Sequence, residues 1–168
     1  MKATGVVRRI DDLGRIVIPK EIRKVLRIKE GDPLEIFTDK EGEVILKKYS
    51  PIGELSEFAS GYAETLSKTT GHIACITDKY SVIAVSGGSK KEFLEQDLSK
   101  ELEQLMDDKE VYISKENNEV SIPVIKNDSK ERKFNSQVVY PIIAQGDVIG
   151  SVILLSKDAK TKMGSRHS

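Results

Sequence analysis

Apolar and polar positions change their rhythm near Ser50. Ahead of it, short β-branched runs alternate with turn residues. Gly5 to Asp11, carrying Val6, Val7 and Ile10, reads as a strand, and Asp12-Leu13-Gly14-Arg15 as a turn. Ile16-Val17-Ile18 reads as a second strand closed by Pro19, a residue that also suits the first turn of a helix. Ile22, Val25 and Leu26 recur at helical spacing and predict a short helix over Lys20 to Arg27. A turn at 29–33 follows. Then Leu34-Glu35-Ile36-Phe37 and Val44-Ile45-Leu46 read as strands joined across Lys40-Glu41-Gly42.

Beyond the short boundary Ser50-Pro51-Ile52-Gly53 the period becomes 3.6. Leu55, Phe58, Ala59, Tyr62, Ala63 and Leu66 form one apolar stripe, with Gly71 as its stop. The stripe suits packing on its own domain or on another subunit. His72 to Thr77 and Ser81 to Val85 predict a hairpin, and Ser86 to Ser89 a loop. Ser89 and Glu92 have capping-box spacing for a helix, or a broken pair of helices, reaching about Asp108. Val111 to Ile113, Val120 to Ile125, Ser136 to Ala144 and Val148 to Leu155 read as strands. Residues 127–133 read as a polar loop, and Gln145-Gly146-Asp147 as a hairpin turn. The pattern predicts an α+β domain with a central antiparallel sheet.

These elements divide the chain into a domain at 1–50, a linker at 51–53, a second domain at 54–160 and a tail at 161–168 that reads as truncated or cloning-derived. Fifty residues bury too little surface to stand alone easily. The chain has one cysteine, so no internal disulfide can help. Association is the remaining device, and a homodimer through 1–50 is expected. No apolar run approaches the roughly 18 residues of a membrane span, and no apolar signal region follows Met1, so a cytoplasmic protein without a membrane partner is expected. Cys75 reads as a small buried strand residue. No nucleophile–base pair, metal-ligand set or cofactor fingerprint appears, so no enzyme, metal or cofactor is expected.

Net charge is zero over 168 residues, but it is unevenly distributed. Residues 1–29 hold nine basic and three acidic side chains, a net +6, and the rest of the chain balances it at −6. A cationic end on an acidic body suits a polyanion. The alternative use of these arginines is pairing with Asp11, Asp12 and Glu21.

The run from Thr4 through Pro19, then Glu21-Ile22-Arg23-Lys24-Val25-Leu26, Gly31 to Ile36 and Val44 to Tyr49, resembles the AbrB family of bacterial transition-state regulators. The resemblance implies a mainly-β, swapped-hairpin dimer that binds double-stranded DNA and regulates transition-state and sporulation genes, as activator or repressor, at the nucleoid. It implies DNA contacts at Arg8, Arg15, Arg23 and Lys24. Lys24 departs from arginine, keeping the charge and losing the planar fork. Arg9 is a further candidate, since neighbouring strand residues face opposite ways. The helix is too short for a long recognition surface, so preference through shape and deformability, at A/T-rich sites, is expected.

Val139 to Leu154 resembles the terminal hairpin of GAF domains, which implies a domain for oligomerisation, here to a homotetramer, and for small-molecule sensing. Tyr80, Ser86, Gly87 and Gly88 are candidates to border a ligand pocket, against the plainer reading of an ordinary turn. A rival function is an antitoxin-like protein-interaction module sharing the N-terminal fold.

Overall fold

The computed structural model describes residues 5–114, 122–126 and 136–156. The chain forms two compact units, Met1–Tyr49 and Ser50–Ser168.

In the first unit, α1 (Lys20–Leu26) precedes the hairpin of β1 (Leu34–Thr38) and β2 (Val44–Lys48). The strands pair antiparallel, with Ile36 opposite Leu46 and Phe37 opposite Ile45. The chain enters α1 through Pro19, whose carbonyl accepts the Arg23 N–H at 3.0 Å. It leaves through Arg27 in the left-handed region, φ 59°. There the Ile28 N–H reaches the Arg23 carbonyl at 2.8 Å and the Arg27 N–H the Lys24 carbonyl at 3.3 Å, so these two exit carbonyls are satisfied despite the absence of glycine.

The expected strands at 5–11 and 16–18 are not strands in the single chain. A strand is a state of pairing, and among the described residues no segment of this chain offers either one a ladder. What joins them is the turn: the Asp11 N–H donates to the Arg15 carbonyl at 3.0 Å. The unit's apolar side chains lie outside. Val6, Val7, Ile10, Ile16, Val17, Val25, Ile36 and Val44 are all exposed, and Pro19 is the one buried residue among those described.

The second unit is built on a five-stranded antiparallel sheet of β3 (Ile73–Thr77), β4 (Val82–Ser86), β5 (Tyr112–Ser114), β6 (Gln137–Ala144) and β7 (Asp147–Leu155), in the order β4-β3-β7-β6-β5. The expected antiparallel sheet is therefore present. A 3₁₀ turn (Gly53–Leu55) leads into α2 (Ser56–Thr70), which stops at Gly71 in the left-handed conformation, φ 75°. The 89–108 segment is a broken pair: α3 (Lys90–Phe93), capped by Ser89 Oγ accepting the Glu92 N–H, and α4 (Lys100–Asp107), capped by Ser99.

Both faces of the sheet are covered. On one, Ile73, Cys75, Val139, Ile153 and Leu155 pack with Phe93, Leu98, Leu102 and Met106. On the other, Ala74, Ile76 and Ala84 meet Ala59 and Ala63 of α2. Small residues on both sides let the helix lie close to the sheet. The larger members of its stripe, Leu55, Phe58 and Tyr62, are pushed outward and exposed. They border an apolar cleft of about 390 Å³ with Ile142, Ile149 and Val152 on its floor.

Gly150 is required where β7 passes β3, because a Cβ there would lie 2.1 Å from the Thr77 carbonyl oxygen. The expected strand at 120–125 is not formed in its described part, 122–125. Pro123 lacks a donor, and the segment is held otherwise. The buried Gln137 side chain exchanges two 2.8 Å hydrogen bonds with the Ile122 backbone, and Ile125 makes a lone bridge to Leu98. The expected loop at 127–133 and tail at 161–168 lie outside the described residues.

Candidate nucleic-acid interface

The cationic positions occupy three successive pieces of the first unit. Arg8 and Arg9 lie on the segment entering the Asp11 turn, Arg15 lies at its exit, and Arg23 and Lys24 stand in the last turn of α1. All five are exposed. The helix places its two cations at its C-terminal end, where they complement the macrodipole. Among the described residues none pairs with Arg8, Arg9, Arg23 or Lys24, which leaves these charges for an external anion.

Arg15 is held differently. The Asp11 carboxylate closes the turn: its Oδ1 accepts the Leu13 and Arg15 N–H groups, each at 2.9 Å. Its Oδ2 accepts the Arg15 Nε–H at 2.8 Å. Gly14 sits at φ +77°, the left-handed position the turn needs, and its N–H reaches the Asp11 carbonyl at 3.1 Å. The backbone N–H of Arg15, then its guanidinium, and more weakly the Leu13 N–H, hold the Asp11 carboxyl below the usual carboxylate range. Pairing between the arginines and the nearby acids is thus realised at Arg15 and Asp11. The Arg15 side chain still keeps 68% of its exposure.

These cations belong to the same unit as the exposed apolar side chains. Comparison with known proteins gives the set a context. The family described as "Stage V sporulation protein T C-terminal, transcription factor" matches residues 54–168. The family described as "Antidote-toxin recognition MazE, bacterial antitoxin" matches residues 7–54. Stage V sporulation protein T of Bacillus subtilis (strain 168) is 54% identical over 158 residues, covering 94% of this chain and 86% of that protein. This chain belongs to the stage V sporulation protein T family.

Its first unit is also similar to the transition state regulatory protein AbrB of the same organism, 59% identical over 51 residues, which are 30% of this chain and 52% of that protein. The solution structure of the N-terminal DNA recognition domain of Bacillus subtilis AbrB has 59% identity, covers 30% of this chain and 94% of its own, and superposes with a TM-score of 0.26.

In this member of the family the four ligand candidates are placed as follows. Tyr80 is buried in the β3–β4 turn, and its N–H donates to Asp78 Oδ1 at 2.7 Å. Ser86 pairs with Ala74 at the end of β4. Gly87 has φ +80°, and a Cβ on Gly88 would meet Ile73 at 2.8 Å. None of the four lines the apolar cleft. Cys75 is fully buried, and desolvation pushes its thiol up to about 12, so it is an inert core residue. Three exposed carboxylates, Asp39, Glu41 and Glu43, gather on the β1–β2 hairpin, where Asp39 Oδ1 is taken up by the Glu41 and Glu43 N–H groups. The residue that charge counting undervalued is Asp11. Its signal was the Asp-x-x-Gly spacing of 11–14, which ties its carboxylate to the turn and so to Arg15.

Proposed function

We propose that residues 1–50 of this DNA-binding transcription regulator of the sporulation family form a swapped-hairpin homodimer and present Arg8, Arg9, Arg15, Arg23 and Lys24 together to duplex DNA. One observation carries the reading. The same unit exposes unpaired cations and the apolar side chains that a core of its size would need. A second copy covers the apolar surface and supplies the missing ladders for 5–11 and 16–18. Two-fold symmetry then doubles the cations on one face. Neutralising phosphates with that many groups makes affinity steeply dependent on salt. The seven-residue α1 offers few base-edge contacts, so the preferred DNA is A/T-rich and deformable.

Residues 54–160 are read as a GAF-like domain whose role is assembly. The exposed Leu55, Phe58 and Tyr62 support joining dimers into a tetramer. No helix among the described residues is long and apolar enough to cross a membrane. As a binder of duplex DNA the protein is read as nucleoid-associated.

Arg15→Ala and Arg23→Ala should each weaken binding to an A/T-rich duplex by about tenfold or more at low salt, with unchanged circular dichroism. Wild-type affinity in both variants would overturn the assignment. The match of residues 7–54 to an antitoxin family supports a second reading, a toxin-binding module. A small toxin co-purifying in fixed ratio would favour it.

A further inference from the structure

The first unit contains the same turn twice. Asp11-Asp12-Leu13-Gly14-Arg15 and Asp39-Lys40-Glu41-Gly42-Glu43 share the spacing Asp-x-x-Gly-x. In each, Oδ1 of the aspartate accepts the N–H groups two and four residues on, at 2.9 and 2.9 Å for Asp11 and at 3.0 and 2.9 Å for Asp39. In each, the aspartate N–H donates to the carbonyl of the fifth residue, at 3.0 and 3.2 Å. The glycines sit at φ +77° and +84°. Asp39 closes its turn through Oδ1, so closing the turn at Asp11 does not require Oδ2. In the first turn, that second oxygen grips Arg15 Nε at 2.8 Å.

We propose that Asp11 is a positioning residue for DNA recognition: its Oδ2 clamps the Nε edge of Arg15, so that the guanidinium meets DNA already oriented, with its terminal amino groups outward. The inference rests on Arg15 contacting DNA, as argued above. A long exposed side chain loses considerable rotamer freedom on binding, and a clamp in the free protein removes part of that cost. Bidentate recognition of phosphate or guanine uses the paired N–H donors of one guanidinium edge, and the Nε clamp leaves the terminal pair available. The Arg15 backbone and side-chain hydrogen bonds hold the Asp11 carboxyl below the usual carboxylate range, which favours the charged form that the clamp uses.

Simple electrostatics makes the opposite prediction. Asp11 is a negative charge among cations, and its neutralisation should tighten binding to a polyanion. Asp11→Asn separates the two effects, because the amide keeps an oxygen for the turn while its nitrogen cannot accept from Arg15 Nε. Binding of the full chain to an A/T-rich duplex, followed by fluorescence anisotropy at fixed salt, is measured for wild type, Asp11→Asn, Arg15→Ala and the double variant. Asp39→Asn is the matched control. The expected result is a loss of about threefold to fivefold for Asp11→Asn, no further loss when it is added to Arg15→Ala, and no loss for Asp39→Asn. Thermal melting identifies any variant whose turn has failed, and in that case the coupling within the Arg15→Ala background still decides. Tighter binding by Asp11→Asn, or an equal loss with and without Arg15, overturns the positioning role and leaves the DNA contact standing. Wild-type affinity of Arg15→Ala overturns the contact itself and the positioning role with it.

Discussion

The two units of this chain use similar apolar residues in opposite ways. In 50–168 the sheet is sandwiched, with Cys75, Ile153 and Leu155 facing one set of helices and Ala74, Ile76 and Ala84 facing another. In 1–49 all the described valines and most of the isoleucines are exposed, Val7 being 84% exposed, and Pro19 alone is buried among the unit's described residues. Composition does not make the difference. One unit carries within itself the second layer that a sheet needs; among its described residues the other does not, and the proposed dimer is what would supply it. The unit left open is also the one that carries Arg8, Arg9, Arg15, Arg23 and Lys24, all exposed. In the proposed dimer, symmetry would place these charges in two matched sets, which suits a ligand as repetitive as duplex DNA.

The sharpest way to break this contrast is a matched pair of truncations. Phe93→Ala removes a side chain that is 1% exposed and should cost about 3–5 kcal/mol in denaturant unfolding of the second unit, at any protein concentration. Val7→Ala should cost less than about 0.5 kcal/mol if the first unit stands as a single chain. A larger loss that grows on dilution would mark a shared core. Equal, concentration-independent costs at both positions would dissolve the distinction.

A smaller effect is expected at Gly150. Gly150→Ala forces β7 away from the Thr77 carbonyl and should destabilise the second unit by about 1–3 kcal/mol in denaturant unfolding. Cys75 reports on the same unit without mutation. Its thiol, raised to about 12 by burial, should react with a disulfide reagent at mildly alkaline pH only as fast as the sheet opens, and prompt labelling would contradict a closed core.

The smallest effect concerns Glu64 and Lys68 on α2, 2.8 Å apart and both exposed. The Lys68 hydrogen bond lowers Glu64 from 4.5, and the Glu64 hydrogen bond raises Lys68 from 10.5. A depressed acid contributes above its unfolded value and loses that contribution as pH falls through the folded one. A raised base contributes below its unfolded value and loses it as pH climbs through the folded one. Glu64→Gln should therefore lower the melting temperature slightly between those limits and leave it unchanged outside them.

Local signals carried most of the second unit into the sequence reading. Gly71 ends α2, Ser89 caps α3, Gln145-Gly146 turns β6 into β7, and near-continuous apolar runs mark the strands because both sheet faces are filled. The reading failed where a structure depends on a distant group. Segments 5–11 and 16–18 have strand composition, but a ladder requires a partner that the described chain does not hold. Ile122 finds its hydrogen bonds on the Gln137 side chain, a substitution for a strand that no periodicity announces. At the cationic surface the residue types were legible. Pairing with Asp11, Asp12 or Glu21 was legible as an alternative, but not that Asp11 alone would engage Arg15, because a charge count does not fix which carboxylate a turn brings to which cation.

The paired Asp-x-x-Gly bends behave as a socket whose frame is indifferent to what its fifth position bears. Here one socket holds a cation and the other an anion, Arg15 and Glu43, on backbones with the same hydrogen bonding. Surface charge in this protein can thus be relocated by exchanging a single plug, with the bend itself left as it was.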